Sequence, residues 1–258
     1  MSAPDGAGLW ANPELARAYA EVRTDLSPAA RAVWADALRA GWTQTSAPRR
    51  VLDVGCGTGR FTTFLSEVFD APTLGVDASA EMLRGRASSP ATSPAFLAAD
   101  AAALPLRAGA VDVALLSMVY HFLKPPGPAI AELHRVVRGQ GLVFVRTPTR
   151  ELLDRVEFLA FFPDARAVDE ARMPSRAALR ATFEHAGFAT HAWRIVEQEF
   201  ATTPLEALER VRRRAFSTLR LISDDAFEAG LARYEAHCLA APPTPRAESL
   251  ELFVFQRA

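Results

Sequence analysis

The chain has 258 residues, 50% hydrophobic and 23% charged, which fits one large α/β domain or a core of about 150 to 200 residues with an added subdomain. Its 29 basic and 30 acidic residues leave a net charge of -1, excluding a global field for nucleic acid or an anionic membrane and leaving only local patches. Cys56 and Cys238 form no metal or disulfide spacing, MSAPDGAG lacks a basic start followed by an apolar core, and no apolar run reaches the length of a membrane span, so a cytoplasmic protein is expected.

In chain order, short apolar runs alternate with helical patterns, as in a parallel sheet with crossover helices. The runs are RVLDV (Arg50 to Val54), TLGVD (Thr73 to Asp77), AFLAAD (Ala95 to Asp100), VDVALLS (Val111 to Ser117) and GLVFVRT (Gly141 to Thr147). RFTTFLSEVF and PAIAELHRVVR between them read as amphipathic helices, the second stopped by Gly139 and Gly141. Two more strands are expected at Ala189 to Phe200 and Leu250 to Gln256, while SSPATSP (Ser88 to Pro94) and APPTP (Ala241 to Pro245) are loops by composition.

The stretch VLDVGCGTG hands the first strand to its helix through Gly55, Gly57 and Gly59, where a doubly wound sheet places its ligand. A dinucleotide fingerprint needs GxGxxG, but here Arg60 stands in the third slot. Asp53, two residues before the first glycine, would disfavour a nearby phosphate by roughly 1 to 4 kcal/mol and favour an ammonium or sulfonium instead. S-adenosyl-L-methionine carries both cations and no phosphate. Asp77 closes the second strand, where an acid can accept both hydrogens of a ribose diol. Asp100 ends the third, placed to accept adenine amino hydrogens while the Ala101 N–H faces a ring nitrogen. Met82 offers a polarizable side chain to the adenine face. Each has a bland alternative, a helix cap or a core residue; their joint spacing after successive strands is what counts.

VLDVGCGTGRFT, GVDASAEML, AADAAALPL, VDVALLSMVYHFL and AELHRVVRGQGLVFVRTP, in that order, resemble the motifs of class I S-adenosylmethionine-dependent methyltransferases, nearest to the group containing the ubiquinone and menaquinone biosynthesis enzymes. The resemblance covers about residues 48 to 148. It implies a doubly wound, Rossmann-like seven-stranded sheet with the last strand antiparallel, with Asp53, Gly55 and Gly57 by the methionine moiety, Asp77 on the ribose, Asp100 on the adenine and Ser117 beside the methionine end. WANPELARAYAEVRTDLSP resembles the family's lid helix, with Tyr19 toward the cofactor carboxylate or the acceptor and Arg23 toward a carboxylate. The expected organisation is an N-terminal helical lid over residues 1–46 and a methyltransferase domain over 47–258, with cap insertions at about 148–175 and 203–247.

These motifs speak to the cofactor and hardly to the methyl acceptor. By analogy SMVYHFL faces the acceptor, making His121, with Tyr120 beside it, the candidate acid or base against a histidine that only closes the loop. His134 and His185 lie within helical patterns and read as structural. The fourth strand ends in LSMVYHFL rather than NPPY or DPPY, which disfavours nucleobase and amide nitrogen acceptors. In ERVRRRAF, helical spacing puts Leu208, Val211, Ala215 and Leu219 on an apolar face, with Arg210, Arg213 and Arg214 toward solvent; Arg212 falls within the stripe and would snorkel or meet a buried anion. The two insertions are expected at the carboxyl edge of the sheet, lining an acceptor pocket with Phe158, Phe161, Phe162 and Phe216; an oligomer interface is the alternative. The reading is therefore methyl transfer to a small molecule by a monomer or homodimer, with no metal and nucleic acid disfavoured. A silent cofactor-binding regulator, a non-methylating user of the same cofactor and an RNA methyltransferase stay open.

Overall fold

The computed structural model describes residues 26–84 and 94–258 together with Asn12 and Glu14; Tyr19, Arg23 and most of SSPATSP lie outside the described residues. In chain order the elements are α1 (Pro28–Gly41), β1 (Val51–Val54), α2 (Arg60–Phe69), β2 (Thr73–Asp77), α3 (Ala80–Arg84), β3 (Ala95–Ala98), β4 (Val111–Ser117) and α4 (Gly127–Val136). They continue with β5 (Val137–Thr147), α5 (Pro163–Arg172), α6 (Arg176–His185), β6 (Phe188–Ala201), α7 (Pro204–Arg212), α8 (Asp224–Ala240) and β7 (Arg246–Arg257). The strands form one seven-stranded sheet in the order β3-β2-β1-β4-β5-β7-β6. Neighbours from β3 through β5 are parallel, and β7 runs antiparallel to both β5 and β6. The expected doubly wound sheet with its antiparallel last strand is thus present. The chain steps outward from β1 to β3 and returns to β4 on the other side of β1, a reversal that opens a crevice at the carboxyl ends of β1 and β4.

Alternate residues of the central strands supply two cores, as the two-residue period of a strand requires. Leu115, Phe144 and Val254 face Trp34 and Leu38 of α1 and Phe61 and Leu65 of α2. Leu116, Val143 and Phe255 face Ile130 and Leu133 of α4 and Leu179 and Phe183 of α6. Burial on both faces is why β4 and β5 read as near-continuous apolar runs. The Phe183 and Phe255 rings stack at 4.0 Å, and burying each side chain contributes about 1.5 to 3 kcal/mol.

Two local expectations are corrected. The fifth strand starts at Val137, where α4 ends, so Gly139 and Gly141 do not stop the helix. They lie in an excursion of the strand, where Val111 pairs with Val137 but Val113 already pairs with Leu142, and Gln140 takes a φ of 62°. The single helix suggested by PLEALERVRRRAFSTL breaks after Arg212, with Arg214 at φ 47° and a 3-10 turn at Ser217–Arg220. Leu208, Val211, Ala215 and Leu219 are nevertheless all buried, because the bend keeps them on one side. The segments after β5 and β6 pack on each other, Leu153, Phe158 and Phe162 meeting Val211, Leu219 and Phe227 in a third apolar cluster.

Candidate functional site

At the carboxyl end of β1 the backbone turns through Gly55 at φ +70° and Gly57 at φ +56°. A Cβ on Gly55 would lie 2.3 Å from Val119 Cγ2, and one on Gly57 would lie 3.1 Å from Met82 Cε. The loop thus needs residues without a side chain both for its conformation and for its neighbours. Asp53 is buried, and one of its carboxylate oxygens accepts a 2.7 Å bond from Thr62 Oγ1. Burial pushes its carboxyl up to about 7, with the Thr62 bond opposing and Asp77 adding to the rise. The Cys56 thiol is also pushed up, chiefly by burial and then by Asp53 and Asp77, so it is no thiolate nucleophile.

Asp77, at the end of β2, accepts from Gly57 N–H at 2.7 Å and Ser79 N–H at 2.8 Å. Its carboxyl too is raised by burial, against those two bonds. Each oxygen keeps acceptor capacity, so a diol can still bond there. Met82 is held in α3 by a 3.2 Å bond from its N–H to Ser79 Oγ. Asp53, Gly55, Gly57, Asp77, Met82 and Ser117 line one cleft of about 110 Å³, bounded further by Arg60, Phe61, Met118, Val119 and Phe122. Six of the sequence-predicted positions are therefore brought together. Asp100 and Ala101 are outside that lining; Asp100 is exposed and accepts from Ala102 N–H at 2.8 Å, so the structure presents it as a turn residue.

A larger cavity of about 240 Å³ adjoins this cleft, for Arg60 and Met118 belong to both walls. His121 is buried in its wall, its ring 4.2 Å from that of Phe122. Both segments after β5 and β6 contribute, including Phe158 and Phe216, stacked at 4.4 Å, and β6 itself adds Phe200. Three expectations fail here. Tyr120 lines neither space; its ring packs 6.4 Å from Phe183 in the core under α6, because the turn at Tyr120–Phe122 points successive side chains to different sides. Phe162 is fully buried in the cap's own core, against Phe158, Phe227 and Gly230, and Phe161 packs on Tyr234 and His237. Of the two readings of Arg212 the structure shows the snorkelling one: it is exposed and paired with Glu235 and Glu209, and meets no buried anion among the described residues. Arg210, expected in solvent, lines the cavity with its guanidinium 4.8 Å from the Phe200 ring.

Two cavity residues were not singled out from the sequence. Arg146 of β5 is 2% exposed, its guanidinium 4.5 Å from the Trp34 ring and 4.8 Å from Phe61. It donates to Ser117 Oγ at 3.3 Å and to Gln198 Oε1 at 3.2 Å, and Gln198 also accepts from Trp34 Nε1. An arginine inside the apolar run GLVFVRT was the available signal. The other, Arg172 at the end of α5, sits in a network with Asp169 and Thr218 that no local pattern announces.

One buried and one half-buried carboxylate, beside a glycine loop of close approach, suit a cationic ligand bearing hydroxyl groups and reject a phosphate. The donor set thus fits S-adenosylmethionine. Residues 52–145 match the methyltransferase domain family model. Over this stretch the chain resembles the class I S-adenosylmethionine-dependent methyltransferases. A malonyl-[acyl-carrier protein] O-methyltransferase of Laribacter hongkongensis is 34% identical over 112 residues, 39% of this chain and 38% of its own length. A demethylmenaquinone methyltransferase of Thermus thermophilus is 34% identical over 103 residues, 38% of this chain and 47% of its own. The chain thus spans less than half the length of these curated relatives. In fold it is similar to a solved protein of Anabaena variabilis, described as a methyltransferase from an antibiotic biosynthesis pathway, at a TM-score of 0.68 and 16% identity over 87% of this chain and 96% of that one. No helix among the described residues is long and apolar enough to cross a membrane.

Proposed function

We propose that the protein transfers the methyl group of S-adenosylmethionine to a small-molecule acceptor bound in the larger cavity. The observation that carries this reading is the shared wall: Arg60 and Met118 bound both the glycine-loop cleft and the aromatic cavity, so two ligands can meet there. The names of the relatives, one acting on a malonyl group on acyl carrier protein and one on demethylmenaquinone, support methyl transfer without naming the acceptor. A cavity walled by the two cap segments suits a metabolite better than a nucleic acid. Cys56 and Cys238 are free, which fits a reducing cytoplasm. Monomer and homodimer both suit this reading, since the cavity is built within one chain.

The cofactor supplies a methyl activated as a sulfonium. Asp53 holds the cationic end, the loop at Gly55 and Gly57 admits it, Asp77 accepts the ribose hydroxyls, and Met82 packs on the adenine. Positioning of the acceptor against the cleft supplies much of the rate, since orientation alone contributes several kcal/mol. The segments after β5 and β6 wall the larger cavity and exclude water from it. Where the acceptor is a hydroxyl, an imidazole nitrogen of His121 takes its proton; an acceptor already anionic needs no base. Thermal shift with S-adenosylhomocysteine, followed by methyl-label transfer to metabolite extracts, tests the proposal. Binding without any labelled product would favour a regulator that kept the cofactor fold.

A further inference from the structure

We infer that the acceptor is an organic acid whose carboxylate is held by Arg172 in the wall of the larger cavity. This rests on the small-molecule reading above. The Arg172 side chain is only 10% exposed. Its Nε donates to Asp169 Oδ1 at 2.9 Å, and its Nη2 donates to Ser217 Oγ at 2.8 Å and Thr218 Oγ1 at 2.6 Å. Thr218 Oγ1 in turn donates to Asp169 Oδ1 at 2.6 Å. These bonds lock the guanidinium plane, yet its buried Nη1 has no hydrogen-bond partner among the described residues. Leaving such a donor unmade costs about 1 to 3 kcal/mol, and a carboxylate is the acceptor that fits a guanidinium edge best.

Position and charge point the same way. Arg172, Asp169, Ser217 and Thr218 all line the cavity. The guanidinium lies 5.6 Å from the ring of Phe122, which is itself a wall of the cofactor cleft, so the group is near the junction of the two spaces. Arg60 and Arg146 bring two more cations to the same cavity from α2 and β5. Of the wall acids, Glu157 engages His237 and Arg246, Glu206 engages Arg210 and Thr202, and Glu248 accepts from Gln198; Glu199 also stands in the wall, a negative charge that the arginines there outweigh. The remaining wall includes Leu26, Leu153, Phe158, Phe200 and Phe216. An apolar body with one carboxylate matches both parts.

The test uses isosteric probes on the full chain: octanoate, octanamide and octyl phosphate, with phenylacetate and phenylacetamide as an aromatic pair. Each is titrated by calorimetry at pH 7.5, with and without S-adenosylhomocysteine. The wild-type protein is expected to bind at least one carboxylate about tenfold or more tightly than its amide, and Arg172→Gln is expected to abolish that preference while leaving S-adenosylhomocysteine affinity unchanged. Equal or tighter binding of the amides, tighter binding of octyl phosphate, no binding of either carboxylate, or a preference that survives Arg172→Gln overturns the inference. Should the variant fold poorly, the wild-type comparison of acid with amide decides alone. Failure of S-adenosylhomocysteine to bind would instead strike the function proposed above, and the titrations without it would still read the carboxylate preference.

Discussion

Asp53 makes the cofactor cleft sensitive to pH near neutrality. Its carboxyl is raised by burial to about 7, yet a cationic ligand beside it needs the ionised form, so binding is linked to the loss of one proton. Affinity for S-adenosylhomocysteine, whose methionine moiety carries an ammonium, is expected to rise about tenfold per pH unit up to roughly pH 7 and to level off above. Asp53→Asn removes both the charge and its titration. Unit charges 4 Å apart interact by about 1 kcal/mol in water and about 4 kcal/mol at an effective dielectric of 20, so the variant should bind roughly five- to thousandfold more weakly at pH 8. The difference should shrink below pH 6. The unliganded protein gives the complementary sign. Its folded pKa lies above the ordinary 3.8, so the folded state holds the extra proton between about pH 4 and 7, and stability is lost as pH rises through that window, on the order of 4 kcal/mol for about three pKa units. Without ligand, Asp53→Asn should therefore melt above wild type at pH 8 and close to it at pH 4. Calorimetric titrations from pH 5.5 to 8.5 check the binding limb; parallel pH curves for the two proteins would refute the assignment and move the titration to another group.

The other expectations concern neighbouring residues. Asp77→Ala should weaken S-adenosylhomocysteine binding by roughly 1 to 3 kcal/mol, because it loses bonds to a charged acceptor and frees the Gly57 N–H; unchanged affinity in a folded variant would place the ribose elsewhere. If the acceptor is a hydroxyl, His121→Ala should lower turnover on the order of a hundredfold with cofactor affinity intact; full activity points to an acceptor already nucleophilic. Gly55→Ala should abolish measurable cofactor binding, since its Cβ would fall 2.3 Å from Val119 at a φ of +70°. Wild-type binding by that variant would show the loop to be more yielding than its geometry implies.

The cofactor cleft was legible because its parts are local. Asp53, Gly55 and Gly57 share one strand-to-helix turn, Asp77 and Met82 share the next, and Ser117 ends β4; strand periodicity places all of them at one edge without any long-range packing argument. The strands were legible for the same reason, except where a local signal had two meanings. Gly139 and Gly141 punctuate the chain, but whether they stop a helix or bend a strand depends on the pairing of Val111 and Val113 across the sheet. Asp100 shows the reverse: a strand-end acid in the right order lies outside the described cleft.

The larger cavity was less legible because its chemistry is assembled across distance. Arg146 is conspicuous in an apolar strand, yet what keeps it there is Trp34 from α1, Phe61 from α2 and Gln198 from β6. Arg172 looks like an ordinary surface residue of a polar helix until Thr218, in a turn 46 residues later, closes on it and on Asp169. The position of the two insertions pointed to a pocket lined by Phe158, Phe161, Phe162 and Phe216, but not to which of these rings face inward: Phe158 and Phe216 line the cavity, while Phe162 fills the space that Gly230 leaves open, where a Cβ would stand 2.3 Å from its ring. That contact sets the division of labour within the cap. Packing α8 closely enough to bury Phe162 builds this cluster's own core, and the Phe158 ring, stacked on Phe216, is left to line the larger cavity.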